Sequence, residues 1–217
     1  MSRARRSVPR GFALIVVLLM LAIAMVLGIG AAQVSLVGER SARNDRDTEI
    51  AFQAAEAALA DAERDVLGPN DSAAQRLCLF NGKDASAFVP GCGGAGVRQG
   101  LCAQGEAGAK PVWMSADFAA ESATSVAYGA FTGQTYAAGN AATGTRAGAL
   151  PARAPRYIVE AVRNLGGWQA GQLRSASVRN ASHLFRVTAV GYGMREETRV
   201  VLQTNLYKPA ASPGCPP

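Results

Sequence analysis

The residues of this chain best suited to chemistry are four cysteines, Cys78, Cys92, Cys102 and Cys215, and a single histidine, His183. None of the cysteines forms a C-x-x-C pair, the tight spacing typical of zinc ligands, so we expect no metal site. An even number of cysteines favours two disulfides in a segment outside the cytoplasm. Four cysteines allow three pairings, and the sequence alone selects none of them.

No pattern typical of a catalytic site surrounds these residues. His183 precedes an apolar strand pattern, and Glu196 and Glu197 lie beside a predicted turn, where solvated side chains are the rule. The sequence contains no P-loop, no dinucleotide-binding fingerprint and no nucleophile elbow. We therefore expect a protein that is not an enzyme and that binds no cofactor.

The positive charge of the chain is concentrated near its start. The net charge is +6, and four of these charges are Arg3, Arg5, Arg6 and Arg10, which leaves +2 for the remainder. Nucleic-acid-binding domains usually present a clustered basic face, which this remainder lacks. We expect no nucleic-acid partner, and we interpret the arginines as a topology signal.

Residues 12–32 form an apolar segment with neither a charged residue nor a proline. At 1.5 Å per residue such a helix is about 31 Å long, which matches the hydrocarbon thickness of a bilayer. The arginines before it place its N-terminal end in the cytoplasm by the positive-inside rule. A cleaved secretory signal is the alternative, because residues 28–32, which contain two glycines and two alanines, could imitate a cleavage site.

The helical pattern continues beyond this segment, which argues against a cleaved signal. Apolar residues recur at spacings of three and four, as in one stripe of an amphipathic helix: Phe52, Ala55, Leu59, Ala62 and Val66. Gly68 and Pro69 supply the stop signal of a helix C-terminus. The pattern predicts one helix over residues 12–67, about 84 Å long, apolar over 12–32 and amphipathic over 33–67.

The rest of the chain divides into a loop-rich region and a strand-rich region. Residues 68–155 are rich in Gly and Ala and predict long loops, which disulfides among the first three cysteines would pin, while Cys215 would fasten the C-terminus. Residues 156–217 predict antiparallel strands at 156–162, 182–192 and 197–207. One face of the last strand is apolar, and the helix stripe can cover it. The predicted fold is α+β, a long N-terminal helix packed on a C-terminal antiparallel sheet.

Two stretches of the sequence resemble a known family. Residues 10–16, RGFALIV after the basic leader 1–11, resemble the class III signal of type IV pilins, and residues 52–64, FQAAEAALADAER, are similar to the helix of PilX-type minor pilins. The resemblance implies a pilin-like fold. It also implies that a prepilin peptidase cleaves after Gly11 and methylates Phe12.

Val16 departs from the pattern of the major pilins. Those carry a glutamate at the fifth mature position, here Val16, and its carboxylate is thought to pair with the N-terminal amine of a neighbouring subunit. An unpaired charge in an apolar filament core is costly, so this pairing would set the register between subunits. Either the glutamate is dispensable in minor pilins, or this subunit lies at the tip, where no distal partner exists. We favour the tip.

The resemblance implies a minor pilin that primes or caps type IV pilus assembly at or near the filament tip. Its implied partners are other minor pilins, the major pilin, a tip adhesin, the prepilin peptidase and the membrane. It would first be a single-pass inner-membrane protein with a periplasmic C-terminal domain, and later part of the pilus. The alternatives are the tip pseudopilin of a type II secretion system and, in a different class, a membrane-anchored periplasmic enzyme or binding protein.

Overall fold

A computed structural model of the protein describes residues 12–70, 74–106, 108–139, 150–163 and 183–208, together with Cys215. The chain divides into two units, Met1–Arg46 and Asp47–Pro217. Helix α1 (Phe12–Leu67) begins in the first unit and ends in the second. The predicted helix over residues 12–67 is thereby confirmed.

The first unit consists, over its described residues, of the N-terminal part of α1. Every residue from Phe12 to Arg46 is exposed. The chain stays helical through Gly28, Gly30 and Asn44. By length and composition this helix is apolar enough to cross a membrane.

The second unit contains a sheet of five strands within the described part of the chain. They are β1 (Leu101–Ala103), β2 (Val126–Ala127), β3 (Arg156–Arg163), β4 (His183–Tyr192) and β5 (Arg199–Leu206). The strand order is β1-β3-β4-β5, and β2 also pairs with β3. The strands β3, β4 and β5 are antiparallel, as the sequence predicts.

Strand β1 makes the sheet mixed rather than wholly antiparallel, because it pairs with β3 in parallel. Parallel neighbours need a long crossover connection, and the loop-rich region between β1 and β3 supplies one. Two short helices also lie outside the three long strands: α2 (Ala74–Leu77) precedes β1, and α3 (Val112–Ser115) follows it. The sequence did not predict the strand or the helices, because each is only three or four residues long.

Helix α1 packs on the sheet through alanines. Its buried apolar residues are Ala51, Ala54, Ala55, Ala58, Ala62 and Val66. Phe52 is 38% exposed, so the prediction that it belongs to the covering stripe is wrong. The reason is Gly191 in β4, where an added Cβ would lie 2.1 Å from the Ala51 carbonyl oxygen and 2.3 Å from the Ala55 nitrogen. Helix and strand backbones touch, and only small side chains fit between them.

Aromatic side chains from the loop region complete the core. Phe80 and Phe88 are buried, and the centroid of each ring lies 5.6 Å from that of Phe185 in β4. The helix ends beside this cluster. Gly68 has a φ of +87° and donates its N–H to the Arg64 carbonyl at 2.8 Å, which fits the predicted stop signal.

Candidate functional site

The residues predicted to carry function lie at the N-terminal end of α1. Phe12 begins the helix, whereas Gly11 lies outside the described residues, so cleavage and methylation at this junction stay a prediction. Val16 is the fifth residue of the helix and is 39% exposed. The first turn of α1 contains no acidic residue. The surface around Val16 is therefore apolar and carries no carboxylate.

This apolar surface extends well past Val16. Large apolar side chains from Phe12 to Val37 are between 39% and 74% exposed, and they lie on every side of the helix. Soluble proteins rarely expose a continuous apolar surface of this size. A bilayer or other apolar helices must cover it.

Three aspartates on the buried side of α1 are polar anchoring residues that the sequence analysis missed. Asp47, Asp61 and Asp65 are each at most 2% exposed. They lie on the same side of the helix as the buried alanines. Their helical periodicity relative to those alanines was the sequence signal that could have identified them. Each one binds a different loop of the second unit.

Asp47 binds the turn between β4 and β5. Its carboxylate accepts hydrogen bonds from the Met194 backbone N–H at 2.5 Å, the Thr198 hydroxyl at 2.5 Å and Arg195 Nε at 3.2 Å. Burial raises the pKa of Asp47, but the hydrogen bonds from Thr198, Arg195 and Met194 outweigh it and leave the pKa below its ordinary value. This carboxylate, at the start of the second unit, fastens α1 to the β4–β5 hairpin.

Asp61 binds the loop that follows β2. It accepts hydrogen bonds from the Gly129 backbone N–H at 2.7 Å and from the Thr132 hydroxyl. Gly129 has a φ of +77°, in the left-handed region that favours glycine. The loop thus turns sharply where it meets the helix.

Asp65 lies at the centre of a buried polar cluster. It accepts hydrogen bonds from Arg76 Nε at 2.8 Å, the Tyr157 hydroxyl at 2.9 Å and Asn70 Nδ2 at 3.0 Å. Burial raises the pKa of Asp65 above its ordinary value, although Arg76 opposes this effect. Arg76 also donates to the Gln99 carbonyl at 2.9 Å. Removing one partner of such a buried pair is strongly destabilising.

The structure pairs Cys78 with Cys215 and Cys92 with Cys102, which selects one of the three pairings that the sequence left open. Lys208 lies near the first disulfide and donates to the carbonyls of Val66 at 2.8 Å and Leu77 at 2.9 Å. Burial lowers the pKa of Lys208 to about 8. Lys208 thus fastens the chain beyond β5 to the ends of α1 and α2, and the disulfide joins Cys215 to Cys78, directly after α2.

The remaining candidates show no arrangement suited to catalysis. His183 is half-buried at the start of β4 and donates its backbone N–H to the Gly82 carbonyl at 2.9 Å. Glu196 and Glu197 are exposed in the β4–β5 turn, as solvated side chains would be. Within the described ranges, no group of three or more His, Cys, Asp or Glu side chains is placed to hold a metal ion.

Two family models match the chain. Residues 10–60 match the model described as PilX N-terminal, and residues 98–208 match the model described as Type IV pilus assembly protein PilX C-term. The second match alone covers more than half of the chain. The chain belongs to the PilX family. It is a type IV pilus minor pilin, a structural subunit, and its apolar helix fits a membrane anchor. No curated protein and no solved structure matched it.

The matched segments of this PilX-family protein contain only part of the geometry described above, because Asp61 and Asp65 lie between them. The N-terminal match includes Val16 and Asp47, and the C-terminal match includes the whole sheet. Cys78 lies between the two matches and Cys215 lies beyond the second. The disulfide that closes the loop region therefore joins two parts of the chain outside both matched segments.

Proposed function

We propose that this PilX-family minor pilin primes or caps type IV pilus assembly from a position at or near the filament tip. The observation that carries the proposal is Val16, an exposed apolar residue where the major pilins carry a glutamate. Without a carboxylate there, the subunit cannot pair with the N-terminal amine of a distal subunit. Its own N-terminal amine can still accept the glutamate of the subunit added behind it, as a first subunit requires.

The exposed apolar helix supports a pathway from membrane to filament. Processing after Gly11 makes Phe12 the methylated N-terminus, and residues 12–32 then hold a single-pass protein in the inner membrane with its C-terminal domain in the periplasm. Helices of neighbouring subunits pack side by side there, because lateral packing needs only apolar contact. The same surface enters the filament core without a change in its chemistry.

We assign a separate role to each further segment of the chain. Residues 1–11 are the leader, and residues 33–67 join the membrane segment to the globular part. The loop region 68–155 offers contacts for other minor pilins or a tip adhesin. The strand region 156–217 gives those loops a rigid base.

The mass of the mature N-terminus tests the processing step. We expect protein extracted from the membrane to begin with N-methylated Phe12, as shown by mass spectrometry of its N-terminal peptide. An intact Met1, or a new N-terminus near Ala32, would contradict the pilin pathway and favour an uncleaved anchor or a cleaved signal.

Deletion of the gene tests the priming role. We expect the deletion strain to lose most of its sheared surface pili while the major pilin remains in the membrane, and the wild-type gene to restore them. Undiminished piliation would contradict the proposal. Normal piliation with a loss of type II secretion would favour the pseudopilin alternative.

A further inference from the structure

Among the strands that the structure describes, β5 is the edge of the sheet opposite to β1. Among the described residues it pairs only with β4, in a continuous register from Phe185↔Leu206 to Tyr192↔Arg199. Its sequence, RVVLQTNL, contains no proline and no lysine, and the register shows no bulge. Natural sheets usually protect an exposed edge with one of these features, since its free N–H and C=O groups can pair with another chain.

The core is incomplete on the inner side of this edge. Val200, Leu202 and Leu206 point towards α1, yet each is only half-buried. Phe52 is 38% exposed and Leu59 half-buried, and both lie on the flank of α1 opposite to Asp61. Asp61 faces the loop after β2, so this opposite flank is the one that faces β5.

The outer side of the same edge is also unfilled. Val201 is 36% exposed and lies beside Val190, its neighbour in β4. Together with Trp113 and Met114 of α3 and the charged Arg199, these residues line an open cavity of about 260 Å³. Met114 is 60% exposed. Apolar side chains are thus exposed on both faces of the sheet at a strand that, among the described residues, pairs only with β4.

We infer that β5 accepts an extended strand from a different protein subunit. Successive side chains of a strand point to opposite faces, so one added strand would place alternate residues against Leu202 and Leu206 inside and against Val201 and Met114 outside. Its backbone would pair with the free edge. The expected partner segment has about eight residues with apolar side chains on both faces. This inference holds for any position of the subunit in the filament.

A second copy of this chain does not fit the site. Two β5 strands paired antiparallel are related by a two-fold axis perpendicular to the sheet, so the outer row of one strand lies beside the outer row of the other. That row contains the exposed polar residues Arg199, Gln203 and Asn205. It would not supply the apolar side chains that Val201 and Met114 lack.

Photo-crosslinking in cells that assemble the pilus tests the inference. A photoreactive benzoylphenylalanine is placed in the full-length chain at Val201, Gln203 or Asn205, which are exposed and lie in one row of β5. We expect crosslinks to a single segment of another pilus protein. When the probe moves by two residues along β5, the crosslinked residue of that partner segment should also shift by two. The control probe is at Glu106, exposed after β1 at the opposite edge, and should not reach that segment.

Thr204 offers a matched pair of variants, because it lies half-buried in the inner row of β5. A lysine there reaches solvent in the free subunit but would be buried under an added strand. We expect Thr204→Lys to reduce the Gln203 crosslink at least tenfold and Thr204→Val to retain it, with equal melting temperatures of the purified proteins.

Several outcomes would overturn the inference. They are an undiminished crosslink in Thr204→Lys, crosslinks to a second copy of this chain, crosslinks without the two-residue shift, and no crosslink at all. A protein that is processed at Phe12 and required for piliation, but that gives no β5 crosslink, would leave the proposed function standing while removing this inference.

Discussion

At the scale of single residues, three buried carboxylates attach α1 to other segments of the second unit. Each lies in the alanine face of α1 and binds one connection of the fold: Asp47 the β4–β5 turn, Asp61 the loop after β2, and Asp65 the segment around Arg76. Carboxylates in an apolar interface are costly unless their oxygens are hydrogen-bonded. The aspartates therefore specify which loops pack where.

Removing the Asp47 carboxylate should destabilise the protein measurably. We expect Asp47→Ala to cost about 1–3 kcal/mol in the free energy of unfolding, because it leaves the Met194 N–H and the Thr198 hydroxyl without their acceptor. Denaturant unfolding followed by circular dichroism measures the loss. Asp45→Ala is the control, since Asp45 is exposed on the same helix and should change stability little. Equal effects of the two substitutions would contradict this role.

The stability of the protein should also depend on pH through Asp47. Its pKa in the folded state is below the unfolded value of about 3.9, so its contribution is complete above the unfolded pKa and is lost as the pH falls through the folded pKa. Unfolding of the wild type and of Asp47→Asn between about pH 5 and pH 2 isolates this contribution. We expect the difference between the two proteins to shrink as the pH falls. A constant difference would exclude the charged form as the stabilising one.

At the scale of elements, the short distance between the α1 and β4 backbones determines which helix residues can pack on the sheet. The sequence predicted the helix, its end at Gly68 and the three long strands, because hydrophobic periodicity and stop signals are local properties. It wrongly included Phe52 in the covering stripe, since Phe52 is more hydrophobic than alanine and the sequence does not show how near the strand comes. The closeness depends on Gly191, whose role is visible only when helix and strand are placed together.

Gly191→Ala tests this packing. The added Cβ would overlap backbone atoms of Ala51 and Ala55, which cannot move aside as a side chain can. We expect the free energy of unfolding to fall by at least about 3 kcal/mol, or the protein to fail to fold, as measured by yield and by melting temperature. Gly94→Ala is the control, because no atom lies within 4 Å of the position of its Cβ and its stability should stay within about 0.5 kcal/mol. A stable Gly191→Ala protein would contradict the close approach.

The two disulfides should differ in their contribution to stability. Cys78 and Cys215 are 137 residues apart and Cys92 and Cys102 are 10 apart, and loop-closure entropy predicts about 5 and about 2.7 kcal/mol respectively. We expect Cys78→Ser with Cys215→Ser to lower the melting temperature more than Cys92→Ser with Cys102→Ser. The reverse order would show that local packing around Cys92 and Cys102 outweighs chain entropy.

At the scale of the whole molecule, the sequence predicted the class of protein better than its surfaces. The apolar segment, the Gly11–Phe12 junction and the PilX-like helix are continuous stretches, so a single sequence shows them. The buried aspartates, the disulfide pairing and the open edge of β5 depend on residues far apart in the chain. They become visible only in the folded subunit.

Immunogold labelling of sheared pili tests the central claim, which is that the subunit lies at the filament tip because Val16 offers no carboxylate to a distal neighbour. An antibody to the region 156–217 would be used, with an antibody to the major pilin as the control that labels the whole filament. We predict gold at one end of each labelled filament. Gold spread evenly along the filaments would contradict the claim and would show that a minor pilin can enter the shaft without this glutamate.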